Sequence, residues 1–111
     1  MTTFRAPILL LLALTLCACA KPVPPSKSNY VGEWLSPTMA LSIMPDGNIR
    51  YARKKGGMNK TMNGPLKEFD GDNFIVGIGP MTTTFTVTMP PHREAGAWKM
   101  TVDGVELVRK D

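Results

Sequence analysis

His92, the only histidine, stands between Pro91 and Arg93 with Glu94 two residues on. An imidazole beside a carboxylate and a guanidinium is a set that can move a proton, if a nucleophile or an orienting group joins it. None is in reach along the sequence, so an exposed loop histidine accounts for it. Thioethers bind Cu(I) in oxidising compartments, and Met58, Met62 and Met89 with His92 would be the set to converge on it. But Met39, Met89 and Met100 fall on apolar strand faces, where methionine fills gaps. Asp70, Asp72 and Asn73 have the D-x-D outline of a calcium loop, without its downstream bidentate Glu, and an Asx-rich turn explains them. Gly77-x-Gly79 precedes no helix and cradles no dinucleotide. No Ser/His/Asp, Cys/His or metal-ligand cluster is present, which points to a non-enzymatic protein without a cofactor. What stands out is charge: Arg50, Arg53, Lys54, Lys55 and Lys60 crowd around Gly56-Gly57. Such a tip can contact anionic lipid headgroups, lipopolysaccharide or another acidic polymer. It can also be a solvated hairpin end whose lysines keep a sheet edge from pairing.

The two cysteines, Cys17 and Cys19, both lie in the N-terminal apolar region. Arg5 supplies a short positive segment, and Ile8 to Leu16 is apolar apart from Thr15. The block from Pro7 to Ala20 is 14 residues, short of the roughly 20 that span a bilayer as a helix. This is the layout of a secretory signal. Leu16-Cys17-Ala18-Cys19 resembles the lipobox of bacterial lipoproteins, with Leu at −3, a small residue at −1 and Cys at +1. That resemblance implies cleavage before Cys19 and acylation of its sulfur and new amine, and two or more chains anchor stably. Ala20, rather than Asp, follows the lipidated Cys, which in the same resemblance implies the outer membrane. After cleavage one Cys remains, so no intramolecular disulfide can staple the domain. Without lipidation the protein would be secreted.

Residues 21–29 hold three prolines, two serines and two lysines. They read as a semi-rigid polyproline II spacer that buries nothing and lifts the domain up to about 30 Å. The expected organisation is therefore a signal over 1–18, a lipidated Cys and tether over 19–29, and one small domain over 30–111. The formal charge falls from +4 to +3 with loss of Arg5. That is too little to mark a nucleic-acid binder.

Ten Gly and ten Pro argue for many turns and few long helices. Met39, Leu41 and Ile43 alternate, Pro45-Asp46-Gly47 turns the chain, and Ile49, Tyr51 and Arg53 alternate on the way back. A three-residue loop with Gly47 left-handed sets Ile43 against Ile49 and Leu41 against Tyr51, keeping the apolar sets on one face. Asp103-Gly104 sets a two-residue hairpin that pairs Val102 with Val105, Met100 with Leu107 and Trp98 with Arg109, a cation–π pair at the rim. Phe74 to Ile78 reads as a central strand. Residues 81–89 read as one strand with Phe85, Val87 and Met89 inward and Thr84, Thr86 and Thr88 outward. Residues 60–69 read as two short strands broken at Gly64-Pro65, and residues 90–96 as a loop.

Gly32-Glu33-Trp34 opens the domain and resembles the Gly-x-Trp opening of lipocalin-like barrels, which implies barrel architecture. The expected fold is all-β: a small antiparallel barrel or two-layer sandwich of about seven to eight short strands. The expected function is a membrane-anchored envelope lipoprotein acting as a non-enzymatic binding or adaptor module, in the periplasm or at the cell surface. Its partners would be the membrane, through its lipid, and an envelope protein or anionic polymer, with no nucleic acid. The alternative is a small hydrophobic ligand carrier with a calycin-like cavity, lined by Trp34, Phe74, Phe85 and Trp98.

Overall fold

A computed structural model describes residues 20–110, so the expected signal, Cys17 and Cys19 lie outside the described residues. Period-two alternation and closely spaced turns build nine antiparallel strands. They are β1 (Gly32–Leu35), β2 (Met39–Ile43), β3 (Asn48–Lys55), β4 (Met58–Asp70), β5 (Asn73–Ile78), β6 (Met81–Phe85), β7 (Val87–Glu94), β8 (Ala97–Val102) and β9 (Val105–Lys110). The all-β expectation holds, with one strand more than the expected range. Among the described residues the helical content is one 3-10 segment, Pro25–Tyr30.

The strands form a single curled sheet in the order β6-β5-β4-β3-β2-β1-β9-β8-β7. Its two edge strands are consecutive in the chain, joined by Thr86 alone, so the curl must bring the edges together there. Asp103 pins that seam. Its Oδ1 accepts the Thr86 N–H at 2.9 Å, and its own N–H donates to the Thr86 carbonyl at 2.8 Å. The Asn73 side chain accepts the Val87 N–H at 2.8 Å beside it.

Both expected hairpin registers are found. Ile43 faces Ile49 and Leu41 faces Tyr51, with Gly47 at φ 92°. Val102 faces Val105 and Met100 faces Leu107. The Arg109 guanidinium lies 5.0 Å from the Trp98 ring and 5.9 Å from Trp34. The inner face carries Trp34, Leu41, Phe74, Phe85, Met100 and Leu107, none more than 1% exposed. Phe74 stacks on Phe85 at 4.9 Å, and Tyr51 meets Phe85 edge-on at 5.0 Å.

Three expectations about the strands fail, for identifiable reasons, and so does the free spacer expected over 21–29. Gly64-Pro65 does not break a strand, because β4 runs through it. The β4–β5 pairing begins only at Leu66, so Pro65 falls where β4 has a partner on one side only, a position that tolerates a missing N–H. Pro90, Pro91 and His92 lie within β7 rather than in a loop, and β7 is an edge strand paired to β8 alone. Residues 81–89 are two strands, and Met89 is half exposed instead of inward. Val87 pairs with Val102 but Met89 with Thr101, and this one-residue shift turns Met89 to the outer face.

The segment before β1 does not hang free. The Val23 N–H donates to the Pro45 carbonyl at 3.1 Å, and the Val23 side chain packs on the core. A Cβ on Gly47 would come within 1.9 Å of the Lys21 carbonyl oxygen, so Gly47 is needed for this contact as well as for its positive φ. Lys27 Nζ donates to the Gly71 carbonyl at 2.9 Å and lies 3.8 Å from Asp72 Oδ1. Buried Tyr30 donates its hydroxyl to the Asp72 carbonyl at 2.9 Å. The β2–β3, β4–β5 and β7–β8 turns share one end of the curled sheet, because each lies an even number of antiparallel strands from the next. The N-terminal segment thus straps across the first two of these turns and closes that end.

Candidate functional site

All five candidate cations belong to one hairpin, β3–β4, turned at Gly56-Gly57 with both glycines at positive φ. The type I′ turn this makes matches the twist of the flanking strands. The hairpin outreaches its neighbours. On one side the β2–β3 pairing stops at Met39–Arg53. On the other, β5 pairs with β4 only from Leu66 onward. Residues 54–60 are consequently exposed and paired only within the hairpin, apart from the Lys54 N–H, which donates to the Thr38 carbonyl at 2.9 Å. We call this projection, together with Arg50 and Arg53 of β3 that lead into it, the arm. Its tip stands at the end of the sheet opposite the strap, the end that also carries the β1–β2, β5–β6 and β8–β9 turns.

Register divides the five side chains between two faces. Ile49 and Tyr51 point inward, and Arg53 and Lys55 continue that phase. Across from them on β4, Lys60 opposes Arg53 and Met58 opposes Lys55. Arg50 and Lys54 are out of phase and lie on the outer face, opposite Asn63 and Asn59. The inner face of the arm and Asp103 bound an open cleft of about 700 Å³, lined by Tyr51, Arg53, Lys55, Met58, Lys60 and Thr61 among others. The outer face carries a groove of about 410 Å³ over Ala40, Ser42, Ala52 and Thr61, with Arg50 and Glu33 at its sides. It is continuous with a smaller one of about 280 Å³ that runs from Ala40 and Ala52 to Lys54, with Arg53 and Lys60 also at its wall.

Among the described residues none of the five forms an ion pair. Among the described residues the ion pairs use Lys27 with Asp72, Lys99 with Glu94 and Glu106, His92 with Glu94, and Lys110 with Glu33. The five cations exceed the chain's formal +4, leaving the rest of it at a net −1. The charge is therefore polarised, with the positive excess on the arm. Two like charges opposed across a strand pair, as Arg53 and Lys60 are, also cost stability.

The other candidate sets disperse. His92 Nδ1 lies 2.9 Å from the Pro90 carbonyl, and its Nε2 is 3.7 Å from Glu94 Oε1. Lys99 Nζ donates to Glu94 at 3.0 Å, which holds the Glu94 carboxyl below and the Lys99 amine above their ordinary ranges. This is a surface network across β7–β8 that fastens an edge strand. Met58 is at the arm tip and Met62 further along β4, whereas Met89 and His92 are on β7 at the edge of the sheet. Asp72 takes the strap's Lys27 and Asn73 holds the β6–β7 seam. Gly77, at φ 136°, clears the β6 backbone, since a Cβ there would sit 2.1 Å from the Met81 carbonyl oxygen. Thr84, Thr86 and Thr88 are exposed.

Asp103 and Tyr51, which help line the cleft, are not among the residues singled out from the sequence. Asp103 reads there only as a turn residue, and its side-chain role across the seam has no local signature. The chain matches no protein family model, no curated protein and no solved structure, so its surface must be read from its own residues.

Proposed function

We propose that this protein is a membrane-anchored envelope lipoprotein, held to the outer membrane through Cys19, that acts as a non-enzymatic module binding an anionic partner. The observation that carries the binding role is the arm: five cations on one hairpin, three of them (Lys54, Lys55 and Lys60) beyond the ends of the neighbouring strands, with no carboxylate within ion-pair distance among the described residues. A hairpin that only had to resist edge pairing would need fewer charges, and would gain by neutralising the opposed Arg53 and Lys60. The anchor rests on the lipobox resemblance, and the docked strap would hold the domain close to the lipid surface rather than at the end of a long spacer. The carrier alternative finds less support, because Trp34, Phe74 and Phe85 are fully buried in contact with core neighbours.

The test uses the full-length protein extracted from membranes in detergent. Intact mass should show diacylglyceryl and acyl additions on an N-terminal Cys19. The same preparation should be retained on polyglutamate resin at low salt and released as salt rises, since exposed charge pairs are screened. An unmodified N-terminus would contradict the anchor, and flow-through at low salt would contradict the binding role.

A further inference from the structure

We infer that the inner face of the arm is the binding site itself, with Arg53 and Lys60 as the seat for a phosphate or carboxylate group carried on an acidic polymer. This rests on the binding role proposed above and narrows it from a charged hairpin to one cleft.

The cleft differs from the outer face in three respects. Arg53 and Lys60 are directly opposed across the strand pair. Side chains in such a pair start about 5 Å apart, so one oxyanion can accept from both. Lys55, two residues beyond Arg53 and on the same face, is placed to take a second anionic group further along the arm. Outside, Arg50 and Lys54 are four residues apart on one strand and face Asn63 and Asn59, so the outer face has no opposed cation pair of its own, and only the flanks of Arg53 and Lys60 reach its groove.

The second respect is what surrounds the charges. The inner cations sit beside Met58 and over buried Tyr51, whose ring is held edge-on to Phe85. An apolar floor lowers the local dielectric and strengthens each ionic contact. The third is the far wall. Asp103 lines the cleft, and its Oδ1 is already committed to the Thr86 N–H. It bounds the cleft without bridging to the arm, since no ion pair joins it to Arg53, Lys55 or Lys60. A carboxylate there repels an anion from the β8–β9 side and directs it toward the arm.

The cleft is open at its ends, and the arm bears cations along its length rather than around a closed pocket. That shape fits a chain laid along the strand better than a single small ion. The ligand class is accordingly a flexible polyanion with repeated phosphate or carboxylate groups.

Two double variants of equal charge separate the faces: Arg53→Gln with Lys60→Gln inside, and Arg50→Gln with Lys54→Gln outside. Both are compared with the parent protein in fluorescence titrations with long-chain polyphosphate, with polyglutamate, with inorganic phosphate and with phosphatidylglycerol vesicles. The inner pair is expected to weaken polyphosphate and polyglutamate binding at least tenfold, and the outer pair less than threefold. Inorganic phosphate is expected to bind far more weakly than the polymers. Circular dichroism melts of each variant establish that both remain folded. Equal losses from the two pairs would overturn the inference while leaving the hairpin's binding role in place. Binding to the vesicles but to neither polymer would overturn it in favour of a membrane contact. If the parent protein binds none of the probes, the underlying binding role fails with it.

Discussion

The two ends of the curled sheet use the same kind of element, the tight antiparallel turn, to opposite effect. At the strapped end, turns are covered. Gly47 lies under Lys21, Asp72 receives Tyr30 and Lys27, and the Trp34 indole N–H is buried against the Tyr30 carbonyl at 2.9 Å. No buried polar side-chain atom among the described residues there lacks a partner. At the arm end, the Gly56-Gly57 turn is exposed and the cations around it have no carboxylate partner among the described residues. The contrast is what the proposed binding role accounts for: the cations left unmatched at this end would be met by a partner from outside the chain.

That contrast can be broken from the strapped side first. Trp34→Ala should have the largest effect, about 3–5 kcal/mol in denaturant unfolding, because it empties a site with no exposure and orphans the Tyr30 carbonyl. Gly47→Ala should cost about 1–3 kcal/mol, since a side chain is forced to positive φ. It should also expel Lys21 and loosen the strap, making the bond between Lys27 and Ser28 more sensitive to limited trypsin digestion. Unchanged digestion would mean that the strap is not held by this turn.

Tyr30→Phe should cost about 0.5–1.5 kcal/mol through the lost hydroxyl bond. It also has a pH signature. Burial, with a smaller contribution from Asp72, pushes the Tyr30 phenol up to about 12 from its ordinary 10.0. The folded state therefore holds the proton more tightly than the unfolded chain. Tyr30's contribution is complete below pH 10 and is lost as pH rises through the 10–12 interval. The wild type should lose stability across that interval, and Tyr30→Phe should lose less. Parallel profiles would remove Tyr30 from the account.

The smallest effect on stability belongs to the arm. The triple variant Arg53→Gln, Lys55→Gln, Lys60→Gln should melt within about 0.5 kcal/mol of the parent, or slightly above it, since surface changes are mild and an opposed like-charge pair is removed.

Local patterns carried most of the fold. Both hairpin registers follow from alternation and turn chemistry at Pro45-Asp46-Gly47 and Asp103-Gly104, where neighbours in sequence decide the outcome. Met89, Pro65 and Pro90 were misread because their places depend on which strands lie at an edge and where a bulge shifts the register, and both are set by distant partners. The strap was illegible for a related reason. Pro22, Pro24 and Pro25 describe a stiff segment equally well whether it is free or docked, and only the surface of Gly47 and Asp72 decides between them. The charge of the candidate site was visible at once. Its division into an inner triad and an outer pair was implicit in the strand period, but needed the position of Gly56-Gly57 and the phase of Ile49 and Tyr51 to be read out.

The most direct test of the arm as the partner-binding end is a pair of polyphosphate affinities at one salt concentration. One is for Arg53→Gln, Lys55→Gln, Lys60→Gln, and the other for a charge-matched control, Lys21→Gln, Lys67→Gln, Lys110→Gln, placed on the rest of the surface. Basic residues at an anionic surface contribute about 1 kcal/mol each. The arm variant should therefore bind about 100-fold more weakly than the parent, with the control within a few-fold of it. Equal weakening in both would mean that the protein's net charge, and not its arm, draws the polyanion.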